Sequence, residues 1–189
     1  ELPGYDVRGL KACALGFMTS TRGGCHLRSS MYDFDVKGKV DRFKADAGLG
    51  KMVKEREDAW AIMDSLILCK FIRSVCSTYD KFAELYTQVT GIQTTPEEMQ
   101  RAGERIYNLE KAYNVREGWT KKDDYPPPQV MKDPIPDGAA KGSLVTKKEF
   151  DLMLSAYYAA RGWSKDGIPT KQKLTELELK TVADEIGAV

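Results

Sequence analysis

The stretch TPEEMQRAGERIYNLEKAYNVREG, residues 95–118, carries the plainest structural instruction in the chain. Thr95 can cap a helix, Pro96 suits the first helical position because its missing N–H would go unpaired there anyway, and Glu98 can reach back to close a capping box. Met99, Ala102, Ile106, Leu109 and Tyr113 then recur at helical spacing, which predicts a long helix that buries this stripe and stops near Gly118. Arg101, Arg105, Lys111 and Arg116 alternate with glutamates, the pattern of a solvated, salt-bridged face for most of them.

The same period extends in both directions. Val7, Leu10, Ala14 and Phe17 predict a first helix that ends at Gly23-Gly24. A second is expected over about Lys51 to Met63, with Val53, Trp60 and Met63 on one side, and a third over about Lys81 to Thr90. Thr146 with Glu149 repeats the capping box ahead of Phe150, Met153, Leu154 and Tyr157, and Gly162 is the expected stop. Tyr157, Tyr158 and Trp163 read as core, and Thr175 with Glu178 as the start of a last short helix. Between Tyr125 and Gly142 lie five of the eight prolines, so an extended or polyproline-like strap over the surface is expected there. The fold class is therefore mainly α: a single helical domain over residues 1–189 with a proline-rich strap at 125–142. The alternative is a linker to a separate C-terminal hairpin.

A chain of 189 residues with 42% hydrophobic content can build one core, and 30% charged residues with a net charge of +1 fit a solvated surface. Lys and Arg are interleaved with Asp and Glu, so no basic stripe points to nucleic acid. The apolar runs fall short of the roughly 20 residues that cross a membrane. The opening ELPGYD has neither the basic nor the apolar region of a signal peptide, and a start at Glu1 leads us to expect an excised or processed segment. Cys13, Cys25, Cys69 and Cys76 form no close Cys-x-x-Cys pair, the usage of a reduced, cytoplasmic protein.

Two places carry candidate chemistry. His26 is the sole histidine and follows Gly23-Gly24-Cys25, where glycines allow a close backbone approach. Imidazoles titrate near neutrality and suit proton transfer, although a lone histidine at a helix end also fits a surface or capping residue. Cys69 lies five residues after Asp64 in DSLILCKF, residues 64–71. A thiolate can hold iron and a carboxylate can accept paired N–H donors from a flat heterocycle, while the plainer reading of Cys69 is a core thiol. If the segment is helical, the seven residues from Cys69 to Cys76 rise about 10 Å, too far for two ligands of one ion, and the chain alone cannot assemble a four-cysteine shell.

Read in order, these segments resemble the aldehyde:ferredoxin oxidoreductase family. LPGYDVRGLKACALGFMTSTRGGCHLRS is similar to the start of the family's third domain, and Thr19 to Arg28 match its Thr-Ser-x-Arg-Gly-Ala/Gly-Cys-His-Leu-Arg core. DSLILCKF resembles the second pterin-binding motif, Asp-x-x-Gly-Leu-Cys. YTQVTGIQTTPEEMQRAGERIYNLEKAYNVREGWTKKDD and YYAARGWSKDGIPTKQKLTELEL follow the C-terminal pattern, so the likeness runs from Tyr5 to Leu179. The resemblance implies that Cys69 is one ligand of a 4Fe-4S cluster, that Asp64 binds the pterin edge with Leu68 and Lys70 beside it, that His26 faces a tungsten bis-pterin centre, and that Arg28 approaches the same cofactor. The other three cluster cysteines belong to a Cys-x-x-Cys-x-x-x-Cys motif earlier in such proteins, so both cofactors are expected only in the full-length enzyme.

The implied function is oxidation of a small aldehyde to a carboxylate, with electrons passed to ferredoxin or an electron-transfer subunit and with N-terminal domains of the same enzyme as partners. A catalytic subunit of the benzoyl-CoA reductase kind is the alternative within the family, and a non-catalytic helical interaction domain the alternative outside it. Two departures stand out. Ile67 occupies the motif glycine's place, where free use of positive φ is lost, and Asp124 to Gln129 differ from the family's usual acidic-to-proline segment, pointing to a branch with another substrate.

Overall fold

The computed structural model describes residues 4–188, so the expectation attached to Glu1 and the first residues of the motif segment, Leu2 and Pro3, lie outside it. Among the described residues nine α-helices run in chain order: α1 (Lys11–Met18), α2 (Tyr32–Val36), α3 (Gly48–Ser65), α4 (Tyr79–Thr90), α5 (Pro96–Arg116), α6 (Pro128–Lys132), α7 (Lys147–Arg161), α8 (Lys171–Glu176) and α9 (Lys180–Glu185). Among the described residues the only β feature is an isolated bridge between Trp163 and Pro169. The mainly α class stands.

The strongest sequence signals fall where they were read. Thr95 Oγ1 accepts from the Glu98 N–H at 3.2 Å, and the Thr95 N–H donates to Glu98 Oε2 at 2.8 Å, so α5 starts on a complete capping box. Thr146 and Glu149 build the same box for α7, which ends at Gly162 in the left-handed region, φ 69°. Helix α3 lies between α5 and α7 and is the spine of the molecule. The approach is close because two glycines permit it: a Cβ on Gly103 would lie 2.3 Å from the Asp58 carbonyl oxygen, and one on Gly50 would lie 2.4 Å from the Tyr157 nitrogen.

Other expectations need correction. The first helix does not run on to Gly23. A 3-10 turn at Val7–Gly9 precedes α1, which ends at Thr19, and all eight residues of α1 are buried. Its N-terminus lacks a local cap and borrows one from α2: Asp35 accepts from the N–H groups of Ala12 (3.3 Å) and Cys13 (2.8 Å). Burial pushes the Asp35 carboxyl up to about 6 despite these bonds.

The buried stripe of α5 is also rotated from the one expected. Met99 is buried, but Leu109 and Tyr113 are exposed, and the inward positions are Gly103, Tyr107, Asn108, Lys111 and Ala112. Polar side chains won those places because each finds a partner. Lys111 Nζ sits 3.1 Å from Asp124 Oδ2 and 2.9 Å from the centre of the Trp119 ring, and burial pulls its amine down to about 8. Lys111 therefore does not belong to the solvated face.

The strap is only partly extended. It contains α6 and a 3-10 turn at Gly138–Ala140, and Val130 enters the main core. At the C-terminus Thr175 is inside α8 and not at a helix start. Thr170 is the cap, accepting from the Lys173 N–H at 3.2 Å, and Glu178 occupies the left-handed turn, φ 62°, between α8 and α9.

Candidate functional site

The two motif-bearing segments meet. Residues 19–30 leave the end of α1, turn through Gly23 at φ 84°, and run back to Ser30, whose hydroxyl accepts from Trp60 Nε1 of α3 at 2.8 Å. Residues 64–76 leave the other end of α3. Arg28 Nη1 lies 3.2 Å from Asp64 Oδ2, and Lys70 Nζ lies 2.6 Å from Asp64 Oδ1, so residues from both segments share one carboxylate. Arg28 also donates through Nη2 to Glu110 of α5 and to Thr21 Oγ1 (3.3 Å). The result is a row of alternating charge, Lys70, Asp64, Arg28, Glu110.

Burial sets the value of that row. Arg28 is only 5% exposed, and its burial opposes its charge, but Glu110, Tyr107 and Asp64 outweigh that and raise its pKa above the ordinary value. Burial lowers the Lys70 amine, with Asp64 opposing. Lys70 spends a further donor on the Trp60 carbonyl at 3.0 Å. A carboxylate offers about four acceptor sites, so two cations leave Asp64, whose side chain is 34% exposed, with capacity for two further donors. That capacity fits a flat heterocycle with adjacent N–H groups.

The turn after Asp64 explains the glycine of the resembling motif. The Leu68 N–H donates to the Met63 carbonyl and the Ile67 N–H to the Asp64 carbonyl, each at 3.0 Å. These six-to-one and five-to-two bonds make a Schellman end to α3, with Ile67 at the left-handed position, φ 58°. The backbone thus follows the course a glycine would take despite the β-branched side chain, contrary to the sequence expectation. What changes is that a sec-butyl group stands out, 92% exposed. Left-handed residues with a Cβ cost roughly 1–2 kcal/mol, so Ile67→Gly is expected to tighten the turn, read as at least fivefold slower amide exchange at Leu68 in the full-length protein. Unchanged exchange would mean that the turn is held by its surroundings.

Cys69 is an exposed free thiol, and Phe71 (87%) and Val75 (76%), which follow it in the chain, are exposed as well. The core-thiol reading suits Cys76, which packs with Trp60, Met63 and Phe82, and Cys13 in the main core. Among the described residues no group of three or more His, Cys, Asp or Glu is placed to hold a metal ion. Leu68 is half-buried against the cluster around Trp60. His26 is half-buried beside Tyr5 and Tyr32, with ring centres 5.5 and 6.0 Å away. Arg73 ties the second segment to α2, which follows the first, by clasping Asp33 at 2.7 and 3.2 Å.

Sequence reading missed Glu110, Thr21, Arg73 and Asp33. Glu110 looked like one more glutamate of a solvated face; the available signal was its place three residues after Tyr107 and four before Asn114, on one side of α5.

The site is an ion-paired aspartate with open acceptor sites, an exposed thiol five residues beyond it and a half-buried histidine on the facing loop, and the comparisons give the class it belongs to, the oxidoreductases. The sequence model described as aldehyde ferredoxin oxidoreductase, domains 2 and 3, matches residues 1–179; the chain belongs to the aldehyde ferredoxin oxidoreductase family. The tungsten-containing aldehyde ferredoxin oxidoreductase of Pyrococcus furiosus is 36% identical over 181 residues, covering 94% of this chain and 29% of that protein. The aliphatic sulfonate oxidoreductase, WOR-like subunit, of the same organism is 28% identical over 197 residues, covering 98% of this chain and 31% of that protein. The active-site complex BamBC of benzoyl coenzyme A reductase with 1,5-dienoyl-CoA superposes with a TM-score of 0.60 at 27% identity, covering 73% of this chain and 20% of that one. The chain thus spans less than a third of the length of the curated relatives it matches. Among the described residues no helix is long and apolar enough to cross a membrane.

Proposed function

We propose that residues 1–189 form the C-terminal helical domain of a larger tungsten-pterin oxidoreductase that converts aldehydes to carboxylates and hands electrons to ferredoxin or an electron-transfer subunit. The observation that carries this reading is the Arg28–Asp64 contact, which brings the two motif segments together with the exposed Cys69 thiol five residues further on. When bound, the tungsten-pterin centre and a 4Fe-4S cluster supply the two-electron oxidation and the one-electron exits.

The chain's own residues have simpler tasks. Asp64 offers its free acceptor sites to the ring edge of the pterin, and Arg28 and Lys70 hold that carboxylate in place through their ion pairs. Cys69 supplies one thiolate, the other ligands coming from elsewhere in the enzyme. Leu68 anchors the turn between them. His26 takes up, at an imidazole nitrogen, the proton that water releases as a carbonyl is oxidised.

Cys69→Ser against Cys76→Ser in the full-length enzyme tests this assignment. Serine oxygen is a poorer iron ligand, so cluster iron should fall at least about twofold in the first variant and stay near four per chain in the second, where only a packed thiol is lost. Equal iron and equal electron paramagnetic resonance spectra would refute it. The likeness to the benzoyl coenzyme A reductase complex favours one second reading, a domain of an aromatic-ring reductase. Assay of the enzyme with a small aldehyde and with an aromatic coenzyme A thioester separates the two.

A further inference from the structure

We propose that Glu110 is a positioning residue, the clasp that fixes the loop carrying His26 and, through Arg28, the direction of Asp64; this rests on the functional reading above. Three side chains on one side of α5, at spacings of three and four, hold the segment that leaves α1. The Tyr107 hydroxyl donates to the Thr19 carbonyl at 3.0 Å, and Asn114 Nδ2 donates to the Thr21 carbonyl at 2.7 Å. Both hydrogen-bond backbone at the start of the loop, and the Tyr107 ring also lies 5.5 Å from the Arg28 guanidinium at its far end. Glu110 puts a charge at both ends: its Oε2 accepts from Thr21 Oγ1 at 2.6 Å and from Arg28 Nη2, closing a triangle with the direct Arg28 Nη2 to Thr21 Oγ1 bond of 3.3 Å.

Between those two attachments lie Arg22, Gly23, Gly24, Cys25, His26 and Leu27, none of them buried. Two glycines make this the least self-determined stretch of the site, so its shape depends on how its ends are tied. A single carboxylate gripping both ends closes the loop across α5. It also competes with Asp64 for the Arg28 guanidinium. With Glu110 present, Arg28 divides itself between two carboxylates and spends one N–H on Asp64. Without it, Asp64 becomes the one carboxylate in direct contact with the Arg28 guanidinium and is drawn toward it, away from any donor on its open side. Glu110 lies beside a groove of about 590 Å³ that Thr21, Arg22, Arg28, Leu109 and Tyr113 also line, so the clasp can open into free volume when it is removed.

The test uses the full-length, cofactor-loaded enzyme and has two readouts. Hydrogen exchange of the amides of residues 22–28 is expected to quicken about tenfold or more in Glu110→Ala, with the remainder of α5 unchanged, because charged hydrogen bonds at both loop ends are lost. Glu110→Gln, which retains an acceptor oxygen, should recover part of that protection. Turnover per tungsten should fall about tenfold in kcat with KM for a small aldehyde unaltered, since Glu110 orients groups and touches no substrate. If Glu110→Ala does not accumulate, Thr21→Val removes the Thr21 bonds to both Glu110 and Arg28 and should give the same change in exchange. Unchanged exchange at residues 22–28, or a uniform rise throughout the chain, overturns the proposal. So does a loosened loop with unaltered kcat in an enzyme whose His26→Asn variant is impaired. If His26→Asn is itself unimpaired while the loop loosens, the clasp stands and the catalytic reading of His26 fails.

Discussion

Replacing His26 by asparagine in the full-length enzyme is expected to lower turnover per bound tungsten by about 10²- to 10⁴-fold, the usual contribution of a positioned general acid or base. Asparagine retains a hydrogen-bonding amide but cannot shuttle a proton at neutral pH. The loss should therefore appear in kcat and in the pH profile between pH 5 and 9, while tungsten and iron contents hold. The surroundings of His26 make this separable from a folding effect. The imidazole is only half-buried and meets Tyr5 and Tyr32 through ring contacts at 5.5 and 6.0 Å, so its removal opens no deep cavity. A per-tungsten rate and pH profile identical to the parent's would reduce His26 to a residue of position alone.

The largest structural effect is expected at Arg161, where substitution by leucine should cost about 3–5 kcal/mol of stability. Arg161 of α7 is fully buried among two acids of α3: Nη2 lies 2.7 Å from Glu57 Oε2, and Nη1 pairs with Asp58. Its Nε donates to the Tyr157 hydroxyl at 3.0 Å, which in turn donates to Glu57 at 2.7 Å. The guanidinium also stacks on the Tyr107 ring at 4.0 Å. Burial opposes the charge on Arg161, yet Asp58, Tyr157 and Glu57 hold it charged, while burial raises the pKa of Glu57 with Arg161 opposing. Leucine would leave Glu57 without a cation, and Asp58 with only Lys54 at 2.9 Å.

The pH dependence of that variant has a definite sign. Glu57, already raised in the fold, would rise further without Arg161, so between its unfolded and folded pKa values the native state binds the proton that the unfolded state lacks. Stability then falls as pH increases through that window, and the variant should be closer to the parent at pH 5 than at pH 8. Chemical denaturation of both full-length proteins at the two pH values checks this. Equal midpoints would mean that the buried cluster is neutral to the fold.

Much of this fold was legible because helix ends are local events. Capping boxes at Thr95 and Thr146 and the stop at Gly162 need only residues within one turn of one another, and all three appear as read. The errors come from long-range partners. The start of α1 is capped by Asp35, more than twenty residues away, and the buried side of α5 is set by Gly103 against α3 and by Lys111 meeting Asp124, none of which hydrophobic periodicity can register. The candidate site divides in the same way. Asp64, Arg28 and Lys70 were named from motif resemblance, and the structure brings them together; Glu110 was missed because a glutamate on a charged helix is indistinguishable from its solvated neighbours until the facing loop is known.

The row Lys70, Asp64, Arg28, Glu110 sums to zero charge, with each carboxylate touching a cation on at least one side. Its members are close enough for substitutions to be non-additive, so removing one leaves an excess charge that removing a neighbour of opposite sign would cancel. Divergence along the family is thereby constrained to paired steps. A lineage that surrenders Arg28 gains by surrendering one of its two acids as well, and one that retains Asp64 for a ligand is driven to keep Arg28, which draws Glu110 along with it. The four positions are thus expected to be inherited together, as a single covarying unit spread over three separate stretches of sequence.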